Sequence, residues 1–361
     1  MPSFLRTATL VASAVALAAC GSDDPTGPST SNAAERIVNA NTRTFLRLTE
    51  TGSEVVQVAD PAASTQWDLA LERTAVTLNG GSAGPGGVAG TCLCRNQSLT
   101  FAQLLELGRA PAAERQRFDR ITADSIPTDE SRFVTDRFAS AAGRFWRGAI
   151  GAAAVAESDS AWMLRWGTVP GPFRFGKLRV VSLVNPTALT PGTVTIEYTL
   201  QPATGNTEFP ATRTLQVPVA ANAVAYIDLD TDRVVTENDA WDIAFNGWSL
   251  RTNSTAPGEA AVRNLRFGPG TTPSSNTFAA ANLAFARFAP VVVWRADTFE
   301  GVFAATPWYR YESATNAIFP TFDVFLVRRG TAVWKVQITG YFIPQGSDER
   351  RVTIRAVRLR A

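Results

Sequence analysis

The chain has 361 residues, 45% hydrophobic and 18% charged, with a formal net charge of +2. This composition can fill one large or two ordinary globular cores and excludes a disordered chain, and the near-zero charge excludes a global field that would recruit nucleic acid or an anionic membrane surface. Histidine is absent, which excludes Ser-His-Asp hydrolysis and removes the commonest metal ligand, so no metal site is expected.

Residues 1–19 read as a lipoprotein signal peptide. Arg6 precedes an uncharged run from Thr7 to Ala19, long enough for a signal h-region and short for a membrane span. Leu17-Ala18-Ala19-Cys20 resembles the bacterial lipobox. That resemblance implies cleavage before Cys20 and a diacylglycerol on its thiol. Residues 20–41, rich in Gly, Ser, Pro and Asp, read as a flexible tether. Anchor, tether and folded mass make the layout of a cell-envelope lipoprotein, held to a membrane by its acyl chains.

Phe45-Leu46-Arg47-Leu48 and then Val55-Val56 read as strand, polar turn, strand. Trp67, Leu69 and Leu71 alternate onto one face, the period of a half-buried strand. Asn79 opens a Gly-rich loop, within which Cys92 and Cys94 follow. In an oxidising envelope these two suit a local disulfide; free or intermolecular thiols, or a soft-metal or haem-iron ligand, are the alternatives. Phe101 to Gly108 predicts a short helix stopped by Gly108, and Asp129 to Gly143 predicts another, with Thr128 as N-cap. Met163 lies in the alternating run AWMLRW and reads as core; as the last Met after Met1, it is also a candidate haem ligand. The Pro- and Gly-bearing stretch QPATGNTEFP then reads as a linker.

Beyond the linker the pattern returns. Tyr226-Ile227-Asp228-Leu229 and Val234-Val235 repeat the first strand pair. Trp241, Ile243 and Phe245 repeat the alternation, with Asn253 placed as Asn79 is. Asp228, Asp230 and Asp232 alternate as in a calcium loop, but Arg233 stands where the sharp turn needs Gly, so a hairpin turn is expected. Lys177 precedes Val194-Thr195-Ile196 at the spacing by which Lys335 precedes Val352-Thr353-Ile354, and these are the chain's only lysines. Residues 42–201 and 205–361 therefore read as tandem copies of one β-rich domain.

The run from Trp308 to Phe342, with Trp308, Tyr309, Tyr311, Thr315, Ile318, Pro320, Val327, Arg328 and Lys335, resembles the HmuY family of haem-binding lipoproteins. So does the strand Trp-Asp-Ile-Ala-Phe followed by Arg-Thr-Asn from Trp241 to Asn253. Trp67, Asp68, Asn79 and Lys177 carry a weaker resemblance in the first copy. The resemblance implies a mostly β fold, here two tandem HmuY-like antiparallel β domains with few short helices. It also implies an outer-membrane, lipid-anchored protein that captures haem for a membrane receptor. Family members hold haem iron with His or Met; here Met163, Cys92 and Cys94 are the candidate substitutes, and Tyr309 or Tyr311 could ligate in principle although aromatic packing is the expected role of both. Asn79, Asn253, Trp308 and Tyr309 are the expected pocket residues. The expected function is non-enzymatic binding, of haem or a related small ligand. The alternative is a surface interaction or scaffold lipoprotein that has lost haem binding.

Overall fold

The computed structural model describes residues 34–158, 160–167, 171–253, 261–264, 277–283, 294–344 and 349–360. The signal peptide 1–19, Cys20 and the first part of the tether lie outside the described residues. The chain is mostly β, in antiparallel sheets with few short helices.

The first element corrects the extent of the tether. Within residues 20–41, Glu35–Asn39 form a strand, β1. It alternates, with Val38 buried and Ile37 exposed on the outer face, as an edge strand does. Four strands follow, β2 (Thr44–Leu48), β3 (Ser53–Val56), β4 (Leu69–Glu72) and β5 (Ala75–Leu78), and they form one sheet in the order β3-β2-β4-β5. The chain then runs through β6 (Val88–Cys92), α1 (Phe101–Arg109) and α2 (Ala112–Arg120).

Helix α1 starts at a capping box: the Thr100 hydroxyl accepts from the Gln103 N–H, and the Gln103 side chain accepts from the Thr100 N–H. Gly108 does not stop it; it lies inside, and the helix ends at Arg109. Helix α2 has no counterpart in the sequence reading. The helix predicted over 129–143 is absent. Asp129 caps a single 3₁₀ turn, Glu130–Arg132, and the chain then extends into β7 (Arg137–Ala139). Pairing with a distant strand overrides the local helix signal there.

Next come β8 (Trp146–Arg147), β9 (Val155–Ala156), β10 (Trp162–Trp166), β11 (Arg174–Val184), β12 (Gly192–Leu200) and β13 (Arg213–Val219). A second four-stranded set follows: β14 (Val224–Asp228), β15 (Arg233–Val235), β16 (Ile243–Asn246) and β17 (Ser249–Thr252). The chain continues through β18 (Ala261–Asn264), α3 (Thr277–Ala280), β19 (Thr298–Glu300) and α4 (Val302–Ala305). It ends with β20 (Tyr309–Glu312), β21 (Ala317–Pro320), β22 (Val324–Arg329), β23 (Ala332–Phe342) and β24 (Arg351–Arg360).

Two five-stranded sheets organise the molecule. One has the order β1-β24-β23-β22-β6 and the other β13-β12-β11-β10-β18. The four-stranded sheet β15-β14-β16-β17 matches β3-β2-β4-β5 strand for strand. Both long hairpins carry a register shift at matching places, between Val180 and Ser182 in one and between Ile338 and Gly340 in the other.

The cores cut across the boundaries 42–201 and 205–361. One core joins Val38, Leu46, Leu69, Leu71 and Leu78 to Phe325, Trp334, Val336, Val352 and Ile354. The other joins Trp162, Leu178, Val194 and Ile196 to Ile227, Ile243, Phe245 and Leu250. Each core thus combines residues from before position 201 with residues from beyond it. Burial decides this: each half exposes one apolar sheet face and covers it with the half that reaches it. The chain passes between the two units at β7 and β19, which pair with each other.

Candidate functional site

The crossing ribbon and its surroundings hold the most distinctive geometry. Phe138 of β7 lies opposite Phe299 of β19, with ring centroids 6.2 Å apart and edge-on. Two residues before each stands an aspartate. The Asp136 carboxylate accepts from the Leu78 N–H at 2.9 Å, at the end of β5. The Asp297 carboxylate accepts from the Thr252 N–H at 2.7 Å, at the matching end of β17, and from the Ala141 N–H at 2.8 Å. Burial pushes the Asp136 carboxyl up to about 6, opposed by the Leu78 N–H. Burial also raises Asp297, against the backbone N–H groups of Thr252 and Ala141. Gly301 packs so closely on Asp136 that a Cβ there would overlap the carboxylate.

Beside this ribbon runs a groove of about 750 Å³, lined by Phe133, Val134, Thr135, Arg137, Glu300 and α4. Its walls are largely apolar, and Arg137 and Glu300 form an exposed ion pair at 3.2 Å. Glu300 is the carboxylate of the lining, and its partner is a cation rather than a second acid. The sequence reading missed these residues. A signal was present: Asp-x-Phe stands in both VTDRFAS and RADTFEG.

The expected site residues lie elsewhere. Asn79 is fully buried; its amide donates to the carbonyls of Ser64 and Trp67, and its oxygen accepts from the Gly86 N–H. Asn253 makes the matching bond to the Trp241 carbonyl at 2.9 Å. The Trp308 indole donates to the Thr74 carbonyl at 2.9 Å, and Tyr309 packs on it with centroids 5.1 Å apart. None of the four lines the groove. They pin loops to sheets.

The sulfur candidates are separated. Met163 is fully buried among Phe175, Phe278, Ala281, Leu283 and Trp294. Cys92 and Cys94 are joined as a disulfide, with Cα atoms 5.1 Å apart, at the end of β6 in the other five-stranded sheet. They and Met163 do not face one cavity.

The alternating aspartates form the turn between β14 and β15. Oxygens of Asp228, Asp230 and Asp242 lie within 4.8 Å of one another. Each carboxylate already has donors. Asp228 accepts from the N–H groups of Asp230 and Thr231. Asp230 faces the Arg174 guanidinium, which holds its carboxyl below the usual range. Asp242 accepts from the Leu229 N–H and the Trp166 indole, yet burial pushes it up to about 6. Asp68 is its counterpart, accepting from the Leu48 N–H at 2.7 Å and pairing with Arg329 at 2.6 Å. Asp239 takes no part in the cluster and caps Thr236.

Both lysines are buried clamps. Lys335 donates to the carbonyls of Phe118 and Ile121 at 2.7 and 2.9 Å, closing the C-terminus of α2. Lys177 donates to the carbonyls of Phe278 and Ala281 at 2.7 and 2.9 Å, at α3. Each ammonium also sits over a phenyl ring, Phe118 or Phe278, about 4.5 Å from its centroid. A cation near the last carbonyls of a helix satisfies oxygens that have no intrahelical partner. Burial lowers the pKa of both lysines.

The sequence matches no family model and no curated protein.

Proposed function

We propose that the chain is a non-enzymatic, lipid-anchored envelope protein that works through the surface of its β units rather than by coordinating haem iron. The observation that carries this reading is the state of its sulfur ligands. Met163 is sealed in a core and Cys92 is bonded to Cys94, so none of the three offers an open donor to iron. The non-enzymatic part of the proposal draws on the acids among the described residues. Asp68, Asp136, Asp242 and Asp297 each accept from a backbone N–H group, and Asp68 and Asp242 are further engaged by Arg329 and the Trp166 indole. Paired-carboxylate hydrolysis needs two acids facing a shared cleft, whereas Glu300 in the groove faces Arg137.

The test is a haem titration of the purified protein, followed in the Soret band. The expected result is no saturable shift. A saturable shift abolished by Met163→Leu would replace this reading with haem capture. Attachment is tested separately: Cys20→Ala is expected to release the protein from membranes, and retention of the variant there would remove the anchor from the proposal.

A further inference from the structure

Segments 34–201 and 209–360 clasp each other through both cores, not through one shared face. Strands β1 and β6 of the first segment border β24 and β22 of the second. Strands β13 and β18 of the second segment border β12 and β10 of the first. The clasp repeats in the lysines: Lys335 closes α2 of the first segment, and Lys177 closes α3 of the second. At the crossing, Phe138 faces Phe299, each two residues beyond its aspartate, so like positions meet across a local twofold axis. The covalent connection between the segments, residues 202–208, is exposed throughout.

We infer that the chain is the single-chain form of a reciprocally exchanged dimer. Each segment is a like protomer whose obligate partner is a second copy of its own repeat. The connection at 202–208 is dispensable for assembly. A two-fold exchanged pair is a closed arrangement in which each interface is made twice, and the two matching sets of sheets are those two interfaces.

The experiment uses the full chain with a protease recognition sequence inserted between Thr207 and Glu208. After cleavage, the fragments are expected to stay in one particle of intact mass by light scattering and to separate only in denaturant. Two particles of about half the mass without denaturant would overturn the inference. A second measurement needs no insertion. Ile37 stands opposite Thr353 in the exchanged register, whereas Thr195 holds the matching place on the first segment's own β12. Oxidised full chain carrying Ile37→Cys and Thr353→Cys is expected to form the new disulfide. Chain carrying Ile37→Cys and Thr195→Cys is expected to keep both thiols free. The reverse pattern would overturn the inference.

Discussion

Phe138 and Phe299 meet edge-on, 6.2 Å apart, at the centre of the ribbon by which the chain leaves one β unit and later returns to it. The described residues between them build the second unit. Residues 140–297 include that unit's core and the Asp297 carboxylate that ties Ala141 to Thr252. We expect residues 140–297, expressed alone, to fold as a monomer with β-type circular dichroism and a cooperative thermal transition. Residues 42–201 expressed alone are expected to give no folded monomer, because half of each sheet face they present lacks its cover.

The buried aspartates set a pH dependence. The carboxyls of Asp136 and Asp242 are each raised to about 6 in the folded chain, from an ordinary value of 3.8. A folded-state pKa above the unfolded one means that the native chain binds more protons between those values. Stability from these two groups is therefore greatest below about pH 4 and falls as pH rises through about 6. Asp136→Asn keeps an acceptor for the Leu78 N–H and removes the charge. It should raise stability at pH 7.5 by of order 2 kcal/mol and flatten the slope of melting temperature between pH 4 and 7. An unchanged slope would mean that Asp136 is not the titrating group.

The lysine clamps should be costly to remove. Lys335→Met keeps the stem and leaves the carbonyls of Phe118 and Ile121 without their donor. The expected loss is about 2–4 kcal/mol in urea denaturation, from charged hydrogen bonds lost and oxygens left unpaired. Lys177→Met is expected to destabilise the other unit by a similar amount. If the two units unfold separately, each variant should shift its own transition and spare the other.

Asn79 is expected to matter for stability and not for binding. Asn79→Ala removes bonds to Ser64, Trp67 and Gly86 at a fully buried position, at a cost of about 2–4 kcal/mol. Gly86→Ala should reproduce the loss, because its Cβ would collide with the Asn79 amide. Calorimetric melting of both variants checks this; a Gly86→Ala protein as stable as the parent would refute it.

Much of this was legible locally. The alternation of Trp67, Leu69 and Leu71, and of Ile243 and Phe245, marked strands β4 and β16. The Asp228–Asp232 stretch read as a turn and is one, between β14 and β15. The matched lysines marked matched places, and the structure gives them matched roles as helix clamps. Other features were hidden because their cause is distant. The stretch 129–143 looks helical until Arg137–Ala139 is offered Thr298–Glu300 as a partner. The segment Glu35–Asn39 looks like tether until β24 supplies an edge. The aspartates of the ribbon gave only a faint Asp-x-Phe signal, because their importance lies in backbone donors far along the chain.

By itself the sequence determined the mostly β character and the positions of many strands and turns. Those follow from side-chain periodicity and turn chemistry, which act over a few residues. Only the tertiary structure decided which half covers which. Two halves with the same apolar pattern fit either partner equally well by periodicity, so the choice falls to chain connectivity at the Phe138–Phe299 crossing and to burial that no local window contains. The same holds for sulfur: composition offered Met163, Cys92 and Cys94 together, and folding placed Met163 in one five-stranded sheet and the Cys92–Cys94 disulfide at the end of a strand of the other.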